Sequence, residues 1–168
     1  AYLGIGGNLG DVLATFSGAL SALEKTDLIS VTGVSPLYQT RPVGGPGDQS
    51  PFLNAVIEVE TGLGPHTLLR RQLQIESIYA RTRSIRWGPR TLDLDLILSD
   101  RWSVSMPGLT VPHPRMLDRR FVLEPLLEAW PDAHMPDGTA IAPPSGAVAR
   151  QGLERVGAAV GGADGGGT

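Results

Sequence analysis

Phe52-Leu53-Asn54-Ala55-Val56-Ile57-Glu58-Val59-Glu60 alternates strictly along its whole length. Leu53, Ala55, Ile57 and Val59 fall on one side and Phe52, Asn54, Val56, Glu58 and Glu60 on the other, which is the period of a β-strand. Just before it lies Arg41-Pro42-Val43-Gly44-Gly45-Pro46-Gly47-Asp48-Gln49-Ser50-Pro51, too rich in Gly and Pro for regular structure. A connection of this length in a small domain is more often a binding loop or lid than a mere link. Ile29 to Gln39 alternates well enough for a second strand. Ahead of it, Asp11 is placed to cap a helix whose apolar stripe is Val12, Phe16, Ala19, Leu20 and Leu23. Residues 1–6 read as the first strand, leading into the turn Gly6-Gly7-Asn8-Leu9-Gly10-Asp11.

Downstream, Gly64-Pro65 opens a second helix, with Leu68, Leu69, Leu73 and Tyr79 expected inward and the helix fading near Arg81. Leu92 to Leu98 makes the fourth strand. The order β-α-β-β-α-β predicts an α+β fold with a ferredoxin-like core, an antiparallel or mixed sheet with helices packed on it. Beyond it, Trp102 to Met106 suits a short hairpin strand, and Phe121 to Trp130 a third helix with Leu123, Leu126 and Leu127 inward. Past Pro143 the composition shifts to Ala and Gly, with a weak helix expected around Ala147 to Val156. Gly161 to Thr168 has almost nothing to bury against its ordering cost and is expected to be disordered. Residues 1–142 are therefore read as one domain and 143–168 as an Ala/Gly-rich tail.

With 168 residues the chain is long enough for one domain with a real core and short for two. No apolar run approaches the roughly 20 residues of a membrane span, and the start lacks the basic region of a secretory signal. The absence of Cys excludes disulfides and thiolate metal sites and suits a reducing cytoplasm. A net charge of −3 gives no reason to expect nucleic acid or an anionic membrane as partner. Of the 14 basic residues all but Lys25 are Arg, and no Gly-x-x-x-x-Gly-Lys-Ser/Thr loop exists. Any phosphate must therefore be held by Arg, metal and backbone N–H groups.

The chemistry concentrates in Arg86-Trp87-Gly88-Pro89-Arg90-Thr91-Leu92-Asp93-Leu94-Asp95-Leu96. On a strand Asp93 and Asp95 point the same way, with β-carbons about 6.5–7 Å apart. That spacing suits carboxylates that share one metal, or a close pair, with substrate phosphates. Asp is a poor strand residue, and two on one face repel unless something cationic sits between them. Arg81, Arg83, Arg86 and Arg90 lie just upstream, and planar guanidinium forks grip phosphate oxygens bidentately. The plainer alternative is a solvated basic loop balancing Glu76 and the aspartates. Trp87 is either a core residue or a flat wall for a heterocycle. Phe52 and Asn54 share a face, where an aromatic and an amide can read a small bicyclic ring, or merely form an edge and a cap. His113, between Pro112 and Pro114, is rigidly placed, whether for a ligand or for a loop carbonyl.

Gly6-Gly7-Asn8-Leu9-Gly10, Asn54, the run from Arg81 to Asp95, and Val111-Pro112-His113-Pro114 followed by Arg119 and Phe121 together resemble the 6-hydroxymethyl-7,8-dihydropterin pyrophosphokinases of folate biosynthesis. The match runs in order from Tyr2 to Trp130. The resemblance implies transfer of pyrophosphate from Mg-ATP to the hydroxymethyl group of the pterin, with release of AMP. It further implies two Mg²⁺ ions on Asp93 and Asp95, and catalysis by Arg81 and Arg90 alongside those aspartates. Glu76, Arg83, Trp87, His113 and Arg119 would line the ATP site. Thr40, Pro42, Val43, Phe52, Asn54 and Phe121 would form the pterin pocket, with Trp87 near both. Gly7 stands where the family usually has Ser, Phe52 where Tyr is common, and the stretch between Arg83 and Trp87 is one residue shorter than in some relatives. The expected protein is a cytoplasmic monomer whose partners are its two small substrates. The rival readings are a non-catalytic ferredoxin-like binding module and a Mg-dependent nucleotide hydrolase, which has no need of the Phe52/Asn54 pocket.

Overall fold

A computed structural model describes residues 1–42, 47–79 and 91–161. Strand β1 (Tyr2–Gly7) leads to helix α1 (Val12–Glu24), β2 (Ile29–Val34), β3 (Leu37–Thr40) and β4 (Phe52–Thr61). Helix α2 (Pro65–Ile78) and β5 (Asp93–Leu98) follow, then β6 (Val104–Met106), β7 (Leu109–Val111), a 3₁₀ turn at Met116–Asp118, α3 (Arg120–Ala129), the short α4 (Gly146–Ala149) and β8 (Glu154–Gly157). The main sheet has six strands in the order β5-β1-β4-β3-β8, with β2 also paired to β4. Every pairing in it is antiparallel. The β-α-β-β-α-β core is thus the expected α+β one, with β1 and β4 central and β5 at an edge.

Alternation along these strands sorts the core into two layers. Leu3, Ile5, Ala55, Ile57, Val59, Leu92, Leu94 and Leu96 turn to α1 and α2, meeting Phe16, Ala19, Leu23, Leu68 and Ile75. The opposite face carries Val56, Ile97 and Leu98 against Met116, Val122, Leu123 and Leu126 around α3. Leu98 breaks the parity of Leu94 and Leu96 because the β1–β5 register shifts by one residue between Tyr2 and Leu3. Asp11 caps α1 as expected, its Oδ1 accepting from the Ala14 N–H at 3.0 Å.

Three local expectations need correction. The stretch Ile29–Gln39 is two strands, because Pro36 has no N–H for the ladder. Buried Ser35 takes over at the break: its N–H donates to the Val56 carbonyl and its Oγ accepts from the Val56 N–H, each at 2.8 Å. On α2, Leu73 is turned outward at 44% exposure while Gln72 and Glu76 are buried. The weak helix expected over Ala147–Val156 stops at Ala149, and Glu154–Gly157 instead pairs with β3. The edge of β3 has open backbone groups to satisfy, which further turns of solvent-facing helix would not do. The expected disorder of Gly161–Thr168 concerns residues that, after Gly161, lie outside those described.

Candidate active site

On the face turned to α3, three strands set two parallel rows: Asn54–Gly6–Asp93 and Val56–Gly4–Asp95. The middle member of each row has no side chain, so bare backbone is exposed between an amide on one flank and two carboxylates on the other. Phe121 and Val122 of α3 stand over it, enclosing a hollow of about 40 Å³ with Gly4, Gly6, Asn54, Val56 and Ile97. A Cβ added to Gly6 would lie 3.3 Å from Asn54 Oδ1, and one on Gly4 would lie 2.9 Å from Ile97 Cδ1. Glycine here keeps space open; neither residue has the left-handed backbone that would demand it for conformational reasons.

Asn54 is buried, and its Nδ2 donates to Thr40 Oγ1 at 3.1 Å. That bond fixes the amide so that its oxygen faces the Gly6 side. Thr40 in turn stands opposite Phe52 in the β3–β4 register. Pro42 follows in coil, completing the described part of the pocket expected for a heterocycle. Asn8, buried in the Gly-rich turn after β1, donates from Nδ2 to the Ser50 carbonyl at 3.0 Å and to Gln49 Oε1 at 3.4 Å. It thereby ties that turn to the segment entering Phe52.

Asp93 and Asp95 are half-buried on the same face, opposite Gly6 and Gly4. Leu94 between them turns into the core, and its N–H donates to Glu76 Oε1 at 2.7 Å. The fully buried Glu76 thus covers the free edge of β5 and braces the backbone that carries both aspartates. A charged acceptor shortens and strengthens such a bond, which explains why α2 turns the Glu76 carboxylate inward while Leu73, expected inward, faces out.

His113 follows the cis Val111–Pro112 bond, and its N–H donates to the Ile97 carbonyl on β5 at 2.7 Å. Its Nδ1 accepts from the Arg115 N–H at 3.1 Å, so the neutral ring carries its proton on Nε2. Burial first, and then the charges of Arg119 and Arg115, push its pKa down, while Asp93 pulls the other way. The charges of Arg119 and Asp93 are thus felt at His113, which gathers the three around one site. The Arg119 guanidinium lies 5.6 Å from the Phe121 ring centroid, within cation–π range.

Among the described residues no cluster of three or more His, Asp or Glu could hold a metal by itself. Mg²⁺ on a nucleotide asks for less: it keeps waters and takes one or two carboxylates plus phosphate oxygens. Asp93 and Asp95 offer that number of hard oxygen donors on a face that two glycines leave open. The donor set fits. The structure therefore brings together Thr40, Pro42, Phe52, Asn54, Asp93, Asp95, His113, Arg119 and Phe121, with Glu76 behind β5. Arg81, Arg83, Arg86, Trp87, Arg90 and Val43 lie outside the described residues. Gly4, Gly6 and Asn8 had no individual role in the sequence reading. The alternation Leu3-Gly4-Ile5-Gly6 is itself a sign of a bare strand face.

A family model described as 7,8-dihydro-6-hydroxymethylpterin-pyrophosphokinase matches residues 2–131. A Bacillus subtilis protein named 2-amino-4-hydroxy-6-hydroxymethyldihydropteridine pyrophosphokinase is 46% identical over 128 residues, covering 76% of each chain. A Pseudomonas aeruginosa protein of the same name is 40% identical over 155 residues, 92% of this chain and 95% of that one. Among solved structures, a triple mutant of Plasmodium falciparum HPPK-DHPS superposes with a TM-score of 0.63 at 14% identity. It covers 84% of this chain, which spans 40% of the longer Plasmodium chain, and at that identity it speaks for the fold alone.

Proposed function

This chain belongs to the 7,8-dihydro-6-hydroxymethylpterin-pyrophosphokinase family, and from that premise we propose how its residues perform the reaction. The enzyme transfers the terminal pyrophosphoryl group of ATP to the hydroxymethyl group of 6-hydroxymethyl-7,8-dihydropterin in folate biosynthesis. The hydroxymethyl oxygen bonds to the β-phosphorus, the bond from that phosphorus to the bridging oxygen of AMP breaks, and the hydroxyl proton is lost. AMP leaves. The observation that carries the assignment of roles is the row Asn54–Gly6–Asp93, which sets a heterocycle-reading amide and a metal-type carboxylate on either side of bare backbone.

The pterin lies over Gly6 and Gly4, between Phe52 and Phe121, with Thr40, Pro42, Val43 and Trp87 completing its surround. Asn54 Oδ1, held toward the hollow by the Thr40 bond, accepts from an N–H on the ring edge. On the other side, Arg83, Trp87, His113 and Arg119 line the ATP site, His113 offering its Nε2–H to a phosphate oxygen, while Glu76, expected there, braces β5 from behind instead. Asp93 and Asp95 hold Mg²⁺, two ions in this reading, which supply charge neutralisation and a template for the phosphates when bound. Arg81 and Arg90 meet the charge spread over the transferred group. Little covalent chemistry is asked of the protein; positioning and electrostatics carry the rate.

The groups assigned to catalysis and binding lie within residues 1–142, with β8 of the tail completing the sheet, and the enzyme works as a cytoplasmic monomer. No helix among the described residues is long and apolar enough to cross a membrane. A nucleotide hydrolase would have no use for the Asn54–Gly6 hollow. The direct test is AMP formation from ATP and 6-hydroxymethyl-7,8-dihydropterin, with Mg²⁺ omitted as control. AMP release that needs both pterin and Mg²⁺ supports the reading. ATP cleavage indifferent to pterin refutes it.

A further inference from the structure

Helix α3 begins with a difficulty. Its N-cap residue is Arg119, in extended backbone at φ −120° and ψ 105°, and no side-chain bond from Arg119 caps the helix. A guanidinium has only donors and cannot accept from the orphan N–H groups of a first turn. The acceptor comes from elsewhere in the chain: Gln151 Oε1 takes the Arg120 N–H at 2.9 Å. The same side chain donates from Nε2 to the Asp118 carbonyl at 2.8 Å. One carboxamide therefore bonds the peptide groups on both sides of Arg119, as a neighbouring strand would. The Gln151 carbonyl also accepts from Arg120 Nη1 at 2.8 Å, and Arg120 Nε is held by Glu124 at 2.5 Å.

With residues 118 and 120 pinned, the direction in which Arg119 leaves the backbone is set. Its guanidinium lies over Phe121 and its charge is felt at His113. Gln151 itself is anchored on both sides. Its N–H closes α4 on the Val148 carbonyl at 3.1 Å, and β8 follows, pairing with β3. Arg155 on β8 bonds Glu128 of α3 at 2.8 Å, and Glu128 also accepts from the buried Tyr38 hydroxyl. Gln151 lies beyond the span 2–131 that the family model matches.

We propose that Gln151 is a positioning residue for the ATP site: it bonds the peptide groups on both sides of Arg119 at the start of α3 and so aims the Arg119 guanidinium at the nucleotide. This rests on the reading above, in which Arg119 lines the ATP site. Gln151 is exposed, so replacing it opens no cavity in the core. In Gln151→Leu both bonds across Arg119 are lost. The ATP KM is expected to rise about three- to tenfold, the range that a lost hydrogen bond of ordinary net strength gives. Neither kcat nor the pterin KM moves by more than about twofold, as befits an interaction made equally in ground and transition states.

Gln151→Glu keeps the acceptor for the Arg120 N–H and gives up the donor to Asp118, so it recovers part of the loss. Arg155→Ala cuts the link from β8 to α3 but leaves the Gln151 bonds, and keeps the wild-type ATP KM. Thermal melting of all three variants separates loss of fold from loss of aim, since general unfolding would lower kcat without splitting the two KM values. A wild-type ATP KM in Gln151→Leu, or an equal rise in Arg155→Ala, overturns the proposal while the enzyme reading stands. A wild-type protein that forms no AMP overturns that reading and the proposal with it.

Discussion

Two ends of one sheet face are built from the same three strands and behave oppositely. At one end the row across β4, β1 and β5 is Asn54–Gly6–Asp93; at the other it is Glu58–Tyr2–Leu98. Where β1 supplies glycine, the helical layer bridges a hollow. Where it supplies Tyr2, the ring packs against Trp130 with centroids 5.1 Å apart and planes tilted by 58°. The Tyr2 hydroxyl is engaged by Glu58, and burial and then that carboxylate push its pKa up to about 12. Identical topology thus serves binding at one end and packing at the other, and the middle strand decides which.

The largest expected effect strikes the hollow end. Asp95→Ala should lower kcat by about a hundredfold or more, since losing a Lewis-acid contact forfeits several kcal/mol of transition-state stabilisation. Its denaturation midpoint should stay near that of the wild type. Near-normal AMP release by this variant would remove the metal role from the aspartates. At the packed end the signature reverses. Tyr2→Ala should lower stability by about 2 kcal/mol, the scale of truncating a partly buried aromatic, with both KM values intact. Denaturant titration measures the first and steady-state kinetics the second. An altered ATP or pterin KM would show that the two ends are not separable.

A smaller effect distinguishes the ends by pH. The folded state holds His113 below its ordinary pKa of 6.5 because burial and two nearby Arg charges disfavour the imidazolium. The unfolded chain then binds more protons, so this contribution is fully present above about pH 6.5 and is lost as pH falls below that toward the lower folded-state value. His113→Gln should flatten the drop in stability between pH 7 and 5 relative to the wild type. Tyr2, raised to about 12, adds nothing in that window. An unchanged slope would contradict the placement of His113 beside Arg119.

What could be read from residues alone follows the range of the physics involved. Alternation in Phe52–Glu60 and Asp93–Leu98 sufficed because each strand has one face against α1 and α2 and the signal is local. The cap at Asp11 was visible for the same reason. The break at Ser35-Pro36 was not, because a serine side chain replaces a missing ladder bond with a partner on β4. Leu73 faces outward and Glu76 inward because the carboxylate has a buried backbone donor on β5, which hydrophobic periodicity cannot foresee. Strand β8 was hidden in an Ala/Gly-rich stretch whose partner, β3, lies far back in the chain. The two aspartates were legible as a pair, but the bare floor beside them required knowing that Gly6 lies between Asn54 and Asp93.

That floor is best tested by filling it. In Gly6→Val the added side chain would enter the space beside Asn54 Oδ1, where a Cβ alone comes within 3.3 Å. Calorimetry with a non-hydrolysable ATP analogue and Mg²⁺, followed by titration with 6-hydroxymethyl-7,8-dihydropterin, separates the two ligands. The expected result is nucleotide binding close to wild type and pterin affinity reduced by about tenfold or more, as overpacking costs on the order of 1–3 kcal/mol. Unchanged pterin affinity in a variant that still binds the nucleotide would contradict the claim that the glycine rows are where the acceptor lies.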